Sequence, residues 1–295
     1  MIAMEQVTKT FGNGRGIFDL SFSVASGEVF GYLGPNGAGK STTIRLLMGF
    51  LRPDHGDASI DGLNCWESAA RVQQNVGYLP GEIGFFDDMT GTQFLDVIAG
   101  MRGRNSRARR DALIDRFELD PRQPIRKMSK GTKQKVGIIA AFMHQPRVLI
   151  LDEPTAGLDP LMQQRFLDLV EEEKAQGATI LMSSHLFAEV ERVCDRVGIL
   201  KAGQLAAIED VRSLRALQRK VFTVVLGNAI ETSHMHIPGC DIVAQRPHEI
   251  DIEVRGDNYN TMIRALSQYD IRALDVRPLD LEEIFMHFYA AEEAK

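Results

Sequence analysis

The 295-residue sequence predicts an α/β domain built on a buried parallel sheet and carrying a helical insert, followed by a small C-terminal α+β domain. Three observations carry this. A glycine-rich loop joins a short apolar strand to a helix. A second apolar strand, Val148-Leu149-Ile150-Leu151, runs straight into two acids. Beyond about Val211 the pattern changes to short strands with few helices.

The loop is Gly34-Pro35-Asn36-Gly37-Ala38-Gly39-Lys40-Ser41, followed by Thr42. Two glycines five residues apart, then Lys and Ser, fit a triphosphate cradle (a P-loop). Glycines let successive N–H groups point inward, Lys40 can reach the outer phosphates, and the Ser41 hydroxyl can ligate Mg²⁺. Glu28 to Leu33 reads as the strand before it. Ile44, Leu47, Met48 and Leu51 recur at helical spacing after it, so the loop ends at a helix N-terminus that favours anions.

With 44% hydrophobic and 25% charged residues, the chain has the composition of a globular protein with room for one large and one smaller core. Its longest apolar stretch, around Ile138 to Met143, is far short of the roughly 18 residues that suggest a membrane span. Met1 to Arg15 lack an export signal, which predicts a cytoplasmic location. Cys65, Cys194 and Cys240 lack metal-ligand spacing and read as reduced, buried thiols. A formal charge of −6 argues against nucleic acid as a partner. Arg102, Arg104, Arg107, Arg109 and Arg110 nevertheless cluster, and read first as a solvated helical face.

In chain order, Ile2 to Lys9 and Phe18 to Val24 read as strands. Phe11, just past the first, is an aromatic that could stack on a purine or simply belong to the core. Asn75 to Leu79 is a further strand, closed by Pro80-Gly81. Phe85 and Phe86 are expected to be at least partly buried by the insert, or to rim a groove for a partner helix. Phe94, Leu95, Ile98 and Met101 share a helical face, and Arg107 to Phe117 continues as a charged helix. Met128-Ser129-Lys130-Gly131-Thr132 opens the apolar helix Val136 to Met143, and Ser-x-Gly at a helix start makes a second, weaker anion site.

Asp152 and Glu153 end a buried strand where ligands bind in open α/β sheets. The first suits Mg²⁺ and the second suits polarising a water, the alternative being helix capping. Asp159, followed by Pro160, is the more natural cap of helix Leu161 to Gln176. His185 follows strand Thr179 to Met182 on the same edge, where it can be structural or bond a γ-phosphate. Strand Arg196 to Lys201 comes next, and Gly203 closes the domain. Past Val211 come strands Val221 to Leu226, Asp241 to Val243, Glu249 to Val254 and Ile271 to Pro278, with helices near Asn258 to Gln268 and Leu281 to Ala290. His234 and His236 have metal spacing but no accompanying ligands.

These motifs, with Ala156-Gly157-Leu158-Asp159 and Ser184-His185, stand in the order of an ABC-type ATPase domain, which the chain resembles over about Ile2 to Lys201. The resemblance implies a P-loop NTPase domain over 1–205 with a helical subdomain near 90–140, and an accessory domain over 211–295. It implies Phe11 against adenine, Gly34 to Thr42 around the phosphates, and Mg²⁺ on Ser41 and Asp152. Glu153 then looks like the catalytic carboxylate, His185 the switch histidine, and Lys40 the phosphate-binding cation. Ser129 and Gly131 match the signature that acts in trans, with Lys130 and Thr132 in place of the commoner Gly and Gln, and Asp159 matches the acid linking two active sites. A dimer follows, with itself or a paralogue.

The chain is similar to ATPase subunits of bacterial exporters, peripheral on the inner face of the cell membrane through a separate integral permease subunit. Its ending, Asp280 to Phe285, is part of that similarity. Where most relatives carry a Gln after the Leu79 strand, this chain has Pro80-Gly81-Glu82, and either Glu82 or a water takes its place, Glu82 being the working hypothesis. The alternatives are a soluble ABC-type ATPase, a non-hydrolysing regulatory subunit, or a phosphate-loop kinase. The last leaves Ser129 to Gly131 and His185 unexplained.

Overall fold

A computed structural model describes residues 1–102, 106–216, 220–228, 237–254 and 258–278. The chain divides into two compact units, Met1–Val211 and Arg212–Lys295.

The first unit opens with β1 (Ile2–Phe11) and β2 (Arg15–Val24), paired antiparallel. Then come β3 (Val29–Leu33), α1 (Lys40–Leu47), β4 (His55–Ile60), β5 (Leu63–Asn64), α2 (Ala69–Asn75) and β6 (Val76–Leu79). The insert is α3 (Gly91–Arg102), α4 (Arg107–Arg116) and α5 (Lys130–Phe142). The unit closes with β7 (Val148–Asp152), α6 (Pro160–Ala175), β8 (Thr179–Ser184), α7 (Phe187–Val193), β9 (Arg196–Lys201) and β10 (Gln204–Asp210). One antiparallel sheet has the order β2-β1-β4-β5; the other, β10-β9-β3-β8-β7-β6, is parallel except for β10. Gly203, read from the sequence as the domain's close, lies instead in a hairpin turn: Ala202 and Gly203 both have positive φ, 48° and 82°, the geometry that joins twisted antiparallel strands. β10 thus extends the sheet past that point.

Strands β3, β7 and β8 are buried along their whole length, as continuous apolar runs in a covered parallel sheet must be. Phe22 of β2 stacks on Phe30 of β3 with ring centroids 5.4 Å apart, and Tyr32, Ile44 and Leu47 complete the core between the two sheets. Each such side chain contributes roughly 1.5–3 kcal/mol by leaving water. Burial pushes the Tyr32 hydroxyl pKa up although Thr43 bonds it.

In the insert, α3 and α4 pack on α5 and bury Phe94, Leu95 and Leu113. Phe85 meets Phe94 edge-on at 5.0 Å, as expected, but Phe86 is 57% exposed: it follows Phe85 directly, and the insert covers only the first ring. Arg107 is exposed, but three other arginines of the cluster turn to partners instead of forming a solvated face. Arg102 donates to the Gln73 and Val76 carbonyls, Arg109 reaches buried Glu173 at 2.5 Å, and Arg110 meets Asp96 at 2.5 Å. Arg104 lies outside the described residues.

α8 (Val211–Ala216) spans the change of unit. The second unit contains β11 (Lys220–Leu226), β12 (Cys240–Arg246), β13 (Glu249–Val254), α9 (Tyr259–Leu266) and β14 (Ile271–Pro278). Its antiparallel sheet, β12-β13-β11-β14, packs Val224, Ile252 and Val254 against Met262 and Leu266 of α9. Cys65 and Cys194 are buried as expected, but Cys240 is only half-buried, because it opens the edge strand β12. His234, His236 and the expected helix Leu281 to Ala290 lie outside the described residues. Among those described, no helix is long and apolar enough to cross a membrane.

Candidate active site

Parallel pairing brings three strand ends to one edge. β3 and β8 align Leu33 with Ser184, and β7 and β8 align Asp152 with Ser183. The residues that follow, the glycine loop, Glu153 and His185, therefore emerge side by side.

Gly39 has φ 113°, a left-handed conformation that suits glycine, and it turns the chain into α1. A Cβ at Gly34 would lie 2.5 Å from the Leu200 carbonyl oxygen, so that turn also requires a missing side chain. Lys40, Ser41 and Thr42 form the first turn of α1, whose N–H groups lack intrahelical partners. The Lys40 side chain is buried, with Nζ 2.6 Å from the Gly34 carbonyl and 3.3 Å from Glu153 Oε1.

Asp152 is 5% exposed. Its Oδ1 accepts a 2.5 Å hydrogen bond from the Ser183 hydroxyl, whose oxygen accepts in turn from the Glu153 N–H at 3.0 Å. Glu153 adopts φ 50°, a left-handed conformation that costs a non-glycine residue roughly 1–2 kcal/mol. Ser183 on one side and Gln134, which donates to the Pro154 carbonyl at 2.7 Å, hold that turn in place. Glu153 Oε2 is in hydrogen-bond contact with His185 Nδ1. Burial and the nearby Asp152 charge push the Tyr78 hydroxyl up to about 12.

A cleft of about 840 Å³ lies over this edge, lined among others by Asn36, Lys40, Ser41, Glu82, Asp152 and Glu153. Gly81 also lines it, and a Cβ there would stand 3.4 Å from Asp152 Oδ2, the oxygen that Ser183 leaves free. Lys130 reaches the cleft, whereas Phe11, Ser129, Gly131, Asp159 and His185 are not among its lining residues. Phe11 is 42% exposed at the end of β1. The preceding Thr10 is tied by backbone and side chain to Asp54 at 2.7 and 3.0 Å; the Lys9 ammonium first, and then these two bonds, hold the Asp54 carboxyl down to about 2. Ser129 caps α5 by accepting from the Thr132 N–H at 3.1 Å; Asp159 caps α6 ahead of Pro160, as the sequence indicates.

The arrangement suits a phosphate chain and a hard divalent cation. Ser41 and Asp152 both line the cleft and carry oxygens of the kind such a cation takes. Among the described residues no cluster of three or more His, Cys, Asp or Glu could hold a metal ion. Ser183 and Asp54 carry no motif signal, and Gln134, at the end of the Met128 to Gln134 motif, has no role that its position in the sequence shows. Only the strand register finds the first of them.

The family profile described as ABC transporter matches residues 17–156. A linearmycin resistance ATP-binding protein of Bacillus subtilis is 35% identical over 213 residues, covering 70% of this chain and 68% of that protein. Among solved structures, an ATP-binding subunit of an ABC transporter is 32% identical with a TM-score of 0.68, covering 74% of this chain and 92% of that one. A dimeric ATP-binding cassette in a post-hydrolysis state with ADP and Pi is 21% identical, with a TM-score of 0.66, and covers 72% of this chain and 99% of its own; at that identity it speaks for the fold.

Proposed function

Because the chain belongs to the ABC transporter family as an ATP-binding, ATP-hydrolysing subunit, we propose that it powers export through a separate integral membrane subunit. The cargo is a drug, antibiotic, lipid or similar, and the name of the linearmycin resistance relative favours the antibiotic. The working unit is a dimer at the cytoplasmic face of the membrane, each ATP lying between the glycine loop of one protomer and Ser129 to Gly131 of the other. Residues 1–205 act as the ATPase domain and 211–295 as an accessory domain.

What supports this reading is the convergence of Lys40, Asp152, Glu153 and His185 at one sheet edge. Phe11 stacks on the adenine, and the N–H groups from Gly34 to Thr42 cradle the phosphates. Ser41 and Asp152 hold Mg²⁺, which, when bound, neutralises charge on the phosphate oxygens. Glu153 accepts the proton of a water as its oxygen bonds to the γ-phosphorus and the bond to the bridging oxygen of ADP breaks. Lys40 offsets the charge that develops, His185 holds Glu153 and meets the γ-phosphate, and Asp159 links the two sites.

The test is Glu153→Gln with and without Mg-ATP, followed by light scattering after size exclusion and by steady-state turnover. We expect an ATP-dependent dimer and hydrolysis slowed by about 10²-fold or more, as for loss of a general base. Wild-type turnover removes Glu153 from the role of base. A variant that binds ATP and stays monomeric points to a paralogue as partner.

A further inference from the structure

One more carboxylate is buried at this edge, and the chemistry above does not use it. Glu189, on α7, is 5% exposed. One of its oxygens is in hydrogen-bond contact with the Thr155 hydroxyl, and the other accepts from the Ser184 hydroxyl at 2.8 Å. Thr155 and Ser184 are themselves buried, and Ser184 Oγ also accepts from the Leu186 N–H at 2.9 Å. The two hydroxyls belong to different loops. Thr155 stands two residues after Glu153, and Ser184 immediately precedes His185. A charge taken out of water costs several kcal/mol unless it is paired or hydrogen-bonded, and here two hydroxyls answer it where an apolar side chain would pack without that cost.

We propose that Glu189 is a positioning residue for hydrolysis: by accepting one hydrogen bond from each loop, it fixes the distance at which Glu153 and His185 meet. The inference rests on the reading of Glu153 as the base. Glu153 sits in a left-handed turn and His185 is exposed at a strand end, so neither is held in register by its own helix or strand alone. Ser183 fixes the start of the acidic turn through the Glu153 N–H, and Glu189 fixes its far side through Thr155. The same carboxylate anchors the residue before the histidine. A displacement of either loop changes the Glu153 to His185 contact, and misplacement by about 1 Å can cost 10²-fold in rate.

The experiment is a double-mutant cycle on the full chain with Glu189→Gln and His185→Ala, read as single-turnover hydrolysis with enzyme in excess. Glu153→Gln serves as the control and thermal unfolding is measured in parallel. The amide keeps the shape of Glu189 and is cheaper to bury than a carboxylate, so stability is expected to hold. We expect Glu189→Gln to slow hydrolysis on the order of 10- to 100-fold with KM for ATP within about twofold, and to add little to His185→Ala, since both act on one contact. Should Glu189→Gln not fold, Thr155→Val, which removes one tie, is put through the same cycle with the same expectation. Wild-type hydrolysis, losses that multiply in the cycle, or a rate that falls only in step with stability would overturn the proposal. Glu153→Gln that hydrolyses at the wild-type rate would overturn the underlying reading instead.

Discussion

Nζ of Lys40 lies 3.3 Å from Oε1 of Glu153, so the ammonium of the glycine loop and the second strand-end acid form one charged pair across the cleft. The Lys40 side chain is 6% exposed and that of Glu153 22%. The short bond to the Gly34 carbonyl keeps the ammonium at the mouth of the loop, where a phosphate oxygen can become an additional acceptor. An ammonium has three protons to donate, so Gly34, Glu153 and a phosphate can share it.

Lys40→Met removes all three interactions at once. Hydrogen bonds to charged groups are worth about 1.5–3 kcal/mol each, so ATP affinity should fall roughly 10- to 100-fold. Fluorescence titration with a labelled ATP analogue checks this. Wild-type affinity would take Lys40 out of phosphate binding.

At Gly81 the cleft has an opening beside Asp152, and Glu82 lines the same wall. The 3.4 Å contact that a Cβ would make with Asp152 Oδ2 is ordinary van der Waals distance, so position 81 accepts a side chain without strain. If Glu82 supplies the polar group there, Glu82→Ala should lower kcat several-fold at saturating Mg²⁺, about 1 kcal/mol of transition-state stabilisation. Gly81→Gln in that background should restore it. Unchanged turnover in Glu82→Ala, measured over a range of Mg²⁺ concentrations, would leave the wall without a catalytic role.

Much of this site was legible because its chemistry is contiguous in sequence. Lys40 and Ser41 follow their glycines, and Asp152 and Glu153 follow their strand, so spacing alone placed them. The supporting contacts were not, because they join residues far apart. Ser183 meets Asp152 and Glu153 only because β7 and β8 pair in that register. Arg102 and Arg109 read as solvated because nothing local pairs with them; their partners, Gln73 and Glu173, are 29 and 64 residues away. β4, β5 and α2 lie in a stretch without motif or strong periodicity, and β10 lies beyond a glycine that reads as an ending. Its strand character comes from pairing with β9.

The cysteines test the burial pattern. Burial pushes the Cys65 thiol up to about 12 and raises the buried Cys194 as well, where Asp195 adds to the effect. Cys240, half-buried, is raised as well, by partial burial first and then by Asp241. A raised thiol pKa means less thiolate at any lower pH, and only thiolate attacks a disulfide reagent. Titration with such a reagent at pH 8 should modify Cys240 first, leaving Cys65 and Cys194 until denaturant is added. Rapid reaction of all three in native protein would contradict their burial.

Gly131 decides whether the start of α5 serves packing as well as recognition. A Cβ there would lie 2.5 Å from the carbonyl oxygen of Gly157, in the turn that leads to Asp159. Within a helix, Gly→Ala ordinarily stabilises by roughly 0.5–1 kcal/mol. Overpacking costs typically 1–3 kcal/mol, and here the opposing atom is backbone in a left-handed glycine turn, φ 80°, which cannot swing aside as a side chain would. The clash should therefore win. Gly131→Ala is expected to lower the unfolding temperature of the nucleotide-free protein, and the displaced α5 end should weaken ATP-dependent dimerisation in the Glu153→Gln background. Thermal unfolding and light scattering read the two effects separately. A stabilised Gly131→Ala that has lost only dimerisation would mean that this glycine faces the partner alone, with no part in joining α5 to the Asp159 turn of its own chain.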